Sequence, residues 1–158
     1  MMSWKWVRRL VNFWPPLFFT GIKATHISPD FRRIEVSLKL RFYNKNFVGT
    51  QFGGSLFAMT DPWYMLMLVY NLGRDYFVWD KSAHIDFIAP GRGAVKAVFV
   101  LEEATLERIR AHTVDGKKYL PNFAIDVVDE HGLLVARVHR TLYVRAKPHK
   151  REQPGAGS

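Results

Sequence analysis

Cysteine is absent from all 158 residues. This excludes disulfides, thiolate metal sites and cysteine nucleophiles, and it fits a reducing cytoplasm, the expected compartment. Acidic residues are few, 14 against 23 lysines and arginines, and the formal charge of +9 favours anionic partners: nucleic acid, a membrane surface or a phosphorylated small molecule. Composition does not choose among them. No helix-turn-helix, zinc-finger or RNA-recognition signature is present and the basic residues are scattered, so nucleic acid is not an expected partner. No GxSxG elbow occurs and no HxH or HExxH spacing, which speaks against a serine hydrolase and against a bound metal. Histidine is missing from the whole stretch between Asn46 and Gly73. The apolar run Leu56 to Leu72 is short of about 20 residues and is interrupted by Asp61 and Pro62, so no bilayer span is expected. No signal-peptide cleavage pattern follows the N-terminal apolar stretch, and a soluble protein is expected.

What is present is a single-domain quantity of chain, 48% apolar and rich in aromatics, enough for a two-layer core. The N-terminus, Met2 to Phe19, interleaves Lys5, Arg8 and Arg9 with tryptophans and aliphatics and is stopped by Pro15-Pro16. It reads as an amphipathic helical extension over residues 1–20, docked on its own core or on a partner subunit, with weak contact to a membrane surface as the other reading. The polar, Pro- and Gly-bearing segment 147–158 reads as a disordered tail. Between them lies the domain proper, 21–146.

Ile22 to Ser28 reads as a strand. Arg33 to Tyr43 alternates apolar and polar residues with period two, the mark of a sheet with one buried face. A long apolar helix follows, ending at Gly73. Four further strands are expected at Phe77–Ala89, Ala94–Glu102, Lys118–Asp129 and Leu133–Ala146, with a short helix between Glu103 and Asp115. The turns Pro90-Gly91-Arg92-Gly93 and Glu130-His131-Gly132 predict a hairpin at each. A curved antiparallel sheet wrapped round one buried helix satisfies this α+β order.

The densest chemical signal is Asn46 to Asp61, in which Gly53-Gly54 opens the apolar helix and Asp61 lies seven residues beyond Gly54. Paired glycines let a ligand approach the backbone, and the first N–H groups of a helix lack intrahelical acceptors. A carboxylate inside an apolar run needs a reason. It is either a functional group or the cap of a second helical segment beginning at Pro62. Asn46 either orients the glycine loop or touches a ligand. His84 and Asp86 share a strand face and read as a polar pair.

Asn46, Phe52-Gly53-Gly54 and Asp61, together with Ile85-Asp86-Phe87-Ile88-Ala89-Pro90-Gly91-Arg92-Gly93, resemble the acyl-CoA thioesterase superfamily of the hot-dog fold, closest to a bacterial branch with a GGSLFAMTDP-like helix start. Phenylacetyl-CoA-type thioesterases show a similar asparagine, then His-Gly-Gly, then a carboxylate nine residues after the histidine. Here Phe52 stands where that histidine would be. The resemblance implies hydrolysis of acyl-CoA or acyl-carrier thioesters, with Gly54 N–H as oxyanion donor and Asp61 as general base or, alternatively, as nucleophile. It places Asn46, Phe52, Gly53 and Ser55 at the substrate and Arg92 near a coenzyme A phosphate, a solvated turn arginine being the other reading of Arg92. It also implies a homodimer or homotetramer whose sites form between protomers, and no cofactor beyond the coenzyme A of the substrate. A non-enzymatic acyl or acyl-CoA binding protein on the same fold is the alternative, since a fold does not confer activity.

Overall fold

The computed structural model describes residues 2–148; the segment 149–158 of the expected tail lies outside them. Two helices come first, α1 (Trp4–Phe13) and α2 (Pro15–Phe18), then β1 (Ile22–Ile27) and β2 (Arg33–Leu38). The expected long helix follows as two pieces, α3 (Gly53–Ala58) and α4 (Trp63–Leu72). After them come β3 (Tyr76–Phe87), β4 (Val95–Val100), α5 (Glu103–Thr113), β5 (Lys118–Tyr119), β6 (Asn122–Asp129) and β7 (Leu134–Ala146).

The strands form one antiparallel sheet in the order β1-β2-β4-β6-β7-β3, with the short β5 also pairing with β7. Its inner face is built by the period-two residues that the sequence marks, Ile34, Val36 and Leu38 on β2 and Val95, Ala97 and Phe99 on β4, all buried. α4 lies against this face. Trp63 and Tyr64 both meet Phe99, at ring centroids 6.2 and 5.5 Å, and Tyr64 stacks on Phe123 at 3.9 Å.

The departures from expectation have local causes. β2 stops at Leu38 rather than running to Tyr43, because the buried Asn44 amide takes over the backbone there: its Oδ1 accepts from Arg41 N–H at 2.7 Å and its Nδ2 donates to the Lys39 and Thr20 carbonyls. Phe42 and Tyr43 are left exposed. The central helix breaks at Pro62, which has no N–H to continue the ladder. Thr60 and Asp61 instead donate three residues back, to the Phe57 and Ala58 carbonyls at 3.1 Å, and the buried Trp63 indole N–H takes the Met59 carbonyl at 2.7 Å. The expected strand 118–129 is likewise split at Pro121, whose carbonyl accepts from Leu142 N–H at 3.0 Å.

The hairpin at Glu130-His131-Gly132 is present, with Gly132 at φ +84° and β6 paired to β7. The one expected at Pro90–Gly93 is not. β3 pairs with β7, whereas β4 pairs with β2 and β6, so this loop carries the chain across the sheet. Gly91 serves close approach rather than a hairpin turn: its carbonyl accepts from Gln51 N–H at 2.9 Å, and a Cβ there would lie 2.9 Å from Gln51 Cγ and 3.3 Å from Val135 Cγ1.

The two ends of the sheet are treated differently. At β1 the edge is covered by α1, whose Asn12 side chain acts as a strand partner, accepting from Ala24 N–H at 2.7 Å and donating to the Ala24 carbonyl at 3.0 Å. At β3, 12 residues long, no strand or helix among the described residues pairs with the outer edge.

Candidate active site

The loop before α3 is organised by Asn46. Its Oδ1 accepts from the Val48 and Thr50 N–H groups at 3.1 and 2.9 Å, and its Nδ2 donates to Thr50 Oγ1 at 2.9 Å and to the Gln51 carbonyl at 3.3 Å. Orienting the loop is therefore its structural work. Asn46, Gln51, Gly53 and Leu56 line one wall of a cleft of about 380 Å3, and Phe87 to Gly91 line the other. Of the residues singled out in the sequence, Asn46 and Gly53 line this cleft, while Phe52, Gly54, Ser55, Asp61 and Arg92 do not.

Neither glycine has a positive φ, so what distinguishes them is contact rather than backbone conformation. A Cβ on Gly53 would lie 3.0 Å from the Phe87 ring and one on Gly54 would lie 2.5 Å from Phe52 Cε1, so the two phenyl rings rest directly on the backbone. The Gly54 N–H has no protein acceptor among the described residues. α3 is only six residues long, so its macrodipole is weak and any donation to an oxyanion would come from the N–H itself. Ser55 is buried beneath the turn, and Arg92 is exposed on the loop.

Asp61 sits in the helix break with its side chain 60% exposed, and its Oδ2 lies 3.5 Å from Arg140 Nη2. It does not cap α4: the N-cap position is Pro62 and no side chain bonds the α4 terminus. The cation holding it is the unexpected part of the site. Arg140 is 2% exposed, yet it occupies the inward phase of β7 among Val138, Leu142 and Val144. Its guanidinium reaches Asp80 Oδ1 at 3.1 Å, Thr60 Oγ1 at 3.3 Å and, less closely, the Phe57 carbonyl at 3.5 Å, and it lies over the Phe57 ring at 5.1 Å. Burial pushes the Asp80 carboxyl above its ordinary range, Arg140 pulls it back, and the nearby Asp61 charge pushes it up further. Arg140 is thus a buried cation shared by two carboxylates, Asp80 half-buried and Asp61 at the surface.

Sequence reading passed over Arg140 and Asp80, although the signal was there: one arginine in the apolar phase of an alternating strand. It also passed over Gln51. This side chain is 3% exposed and donates from Nε2 to the Leu38 and Gly93 carbonyls at 3.2 and 2.9 Å, and its buried Oε1 has no donor among the described residues. His84 and Asp86 form the expected pair at 2.9 Å on the exposed face of β3, with His139 of β7 3.9 Å from the same carboxylate. Among the described residues no group of three or more histidines and carboxylates is arranged to hold a metal.

Solved structures similar to this chain include a Pseudomonas aeruginosa protein described as a probable thioesterase, with TM-score 0.80 and 17% identity over 92% of this chain and 97% of that one. A thioesterase from Haemophilus influenzae aligns with TM-score 0.67 and 16% identity, covering 98% of this chain and 96% of its own. The phenylacetic acid degradation protein PaaI from Thermus thermophilus aligns with TM-score 0.57 and 24% identity, covering 82% and 97%. At such identities the likeness shows the architecture, which is the hot-dog fold. No curated protein matches the chain in sequence. The model of a family described as Domain of unknown function (DUF4442) matches residues 4–144, and the chain belongs to that family.

Proposed function

We propose that this protein hydrolyses thioesters of acyl-CoA or of an acyl carrier, with Asp61 activating water and the Gly54 N–H stabilising the oxyanion. What supports the reading is an N–H on the glycine turn with no protein acceptor among the described residues, and, separately, a solvent-facing carboxylate 3.5 Å from the buried Arg140. The thioesterase descriptions of proteins with this architecture support the reaction class. Neither Gly54 nor Asp61 lines the cleft that Gly53 lines, and in this reading the reactive pair is completed by a second copy, in a homodimer or homotetramer, as the resemblance to hot-dog thioesterases implies. The exposed Phe47, Val48, Phe87 and Ile88 about the cleft and the unpaired β3 edge are the surfaces that such a copy would cover. The acyl group enters the apolar side of the cleft. Arg92 meets a coenzyme A phosphate from its exposed loop, and the substrate brings the only coenzyme.

A second reading is an acyl or acyl-CoA binding protein without turnover, favoured by the Phe52 ring that rests on Gly54 where related enzymes carry a histidine. Purified protein assayed against short, medium, long and aromatic acyl-CoAs decides between them. Turnover that falls at least about 100-fold in Asp61→Asn with substrate binding retained is expected. Tight binding without turnover in the native chain would establish the binding protein instead.

A further inference from the structure

α1 and α2 leave Trp6, Leu10, Phe13 and Phe18 exposed while burying only Val7 and Leu17. Trp4, Val7 and Val11 repeat at helical spacing and pack inward. Trp6, Leu10 and Phe13 repeat in the same way on the opposite side, where Trp6 is 60% and Phe13 73% exposed. Phe18 and Phe19 extend this ridge, Phe18 lying 6.0 Å from Phe13 and 5.4 Å from Phe19 between ring centroids. Beside the ridge runs a groove of about 1000 Å3 between the two helices and the outer face of β1 and β2. Its charged lining is Arg8, Arg9, Lys23, Lys39 and Arg41, with no carboxylate among the lining residues. None of these five, nor Lys5 on the same helix flank, is ion-paired among the described residues. Arg9 instead lies over the Trp6 ring at 5.5 Å.

An apolar ridge with tryptophan at its edge and a band of unneutralised cations alongside is complementary to a surface that is apolar a few ångströms down and anionic on top. We propose that this face docks on a lipid bilayer bearing anionic phospholipids, the ridge entering the acyl boundary and the groove cations meeting headgroup phosphates. A second copy presenting the same face would set cations against cations. Nucleic acid would satisfy the cations but leave Leu10, Phe13 and Phe19 in water. The docking surface lies apart from the cleft and does not depend on the reaction assigned to it.

The test is vesicle flotation of the full chain with phosphatidylcholine alone and with phosphatidylcholine mixed with phosphatidylglycerol. Two double variants at exposed positions run alongside, Trp6→Ser with Phe13→Ser and Lys5→Gln with Arg9→Gln, each confirmed folded by circular dichroism. Binding to the anionic vesicles alone, weakening with salt and falling about 10-fold or more in each variant, is the expected result. Equal binding to both vesicle types, binding to neither, or unchanged binding in both variants would overturn the proposal. So would a shift of either variant to a smaller assembly without vesicles, which would make the face a protein interface. Tighter binding to a DNA duplex that depends on Lys5 and Arg9 but not on Trp6 and Phe13 would overturn it as well.

Discussion

The glycines near the cleft differ in how much substitution they tolerate, and the difference lies in the neighbours rather than in φ. The groups that a Cβ on Gly91 would strike are buried and tied down, Gln51 by its hydrogen bonds to the Leu38 and Gly93 carbonyls and Val135 by the core. Gly91→Ala should therefore cost about 2 kcal/mol, the usual penalty of overpacking. Gly54 meets the Phe52 ring more closely still, but that ring is exposed and can swing into water. Gly54→Ala should stay within about 1 kcal/mol of the native chain, helped by the better helix propensity of alanine. Urea midpoints of the two variants check the contrast, and equal losses would mean that Phe52 is held in place. The glycine pair and Asp61 were legible as a candidate site because glycine next to a helix and a carboxylate in an apolar run are locally anomalous. Gln51 carried no such anomaly, since its burial depends on the loop at Gly91, 40 positions away in the chain.

At the scale of elements, the break between α3 and α4 is fixed from two sides. Pro62 removes the N–H that would continue the helix, and Arg140 on β7 gathers Thr60 Oγ1, the Phe57 carbonyl and the Asp61 carboxylate of the broken turn. Arg140→Met should cost about 3 kcal/mol at neutral pH, because Asp80 loses the cation that offsets its burial. The pH dependence has a definite sign. The folded-state pKa of Asp80 already lies above its ordinary 3.8, and removal of Arg140 raises it further. Folding then takes up a proton in the interval between 3.8 and the folded value, so stability falls as pH rises through that interval. The deficit of the variant should accordingly be smallest below pH 3.8 and grow towards neutrality, as read from denaturant unfolding of both proteins across pH. A deficit independent of pH would show that Asp80 does not depend on Arg140. The kink itself was foreseeable from Asp61-Pro62; its partner on β7 was not, since nothing local tells which strand faces the break.

At the scale of the molecule, the sheet has one guarded end and, among the described residues, one open end. Asn12 and α1 occupy the β1 edge, so self-association by strand addition is left to β3. Sedimentation should give at least twice the 18.4 kDa of one chain, and hydrogen exchange should show amides on the outer edge of Tyr76–Phe87 protected in proportion to assembly; a monomer with those amides unprotected would refute the between-protomer site. The sequence by itself determined the order of elements, the inward phase of the strands, the helical extension and the glycine-to-aspartate segment. Each of these is written in local periodicity and in residues with special backbone chemistry, glycine and proline above all. Only the tertiary structure decided that β3 pairs with β7 rather than β4, that Arg140 joins Asp61 to Asp80, that Gln51 is buried at the cleft, and that the apolar ridge of α1 stays in solvent beside a cationic groove. Those outcomes depend on which distant segments meet, and the energy that selects them comes from burial and charge pairing summed over the assembled core, a quantity that no short window of residues contains.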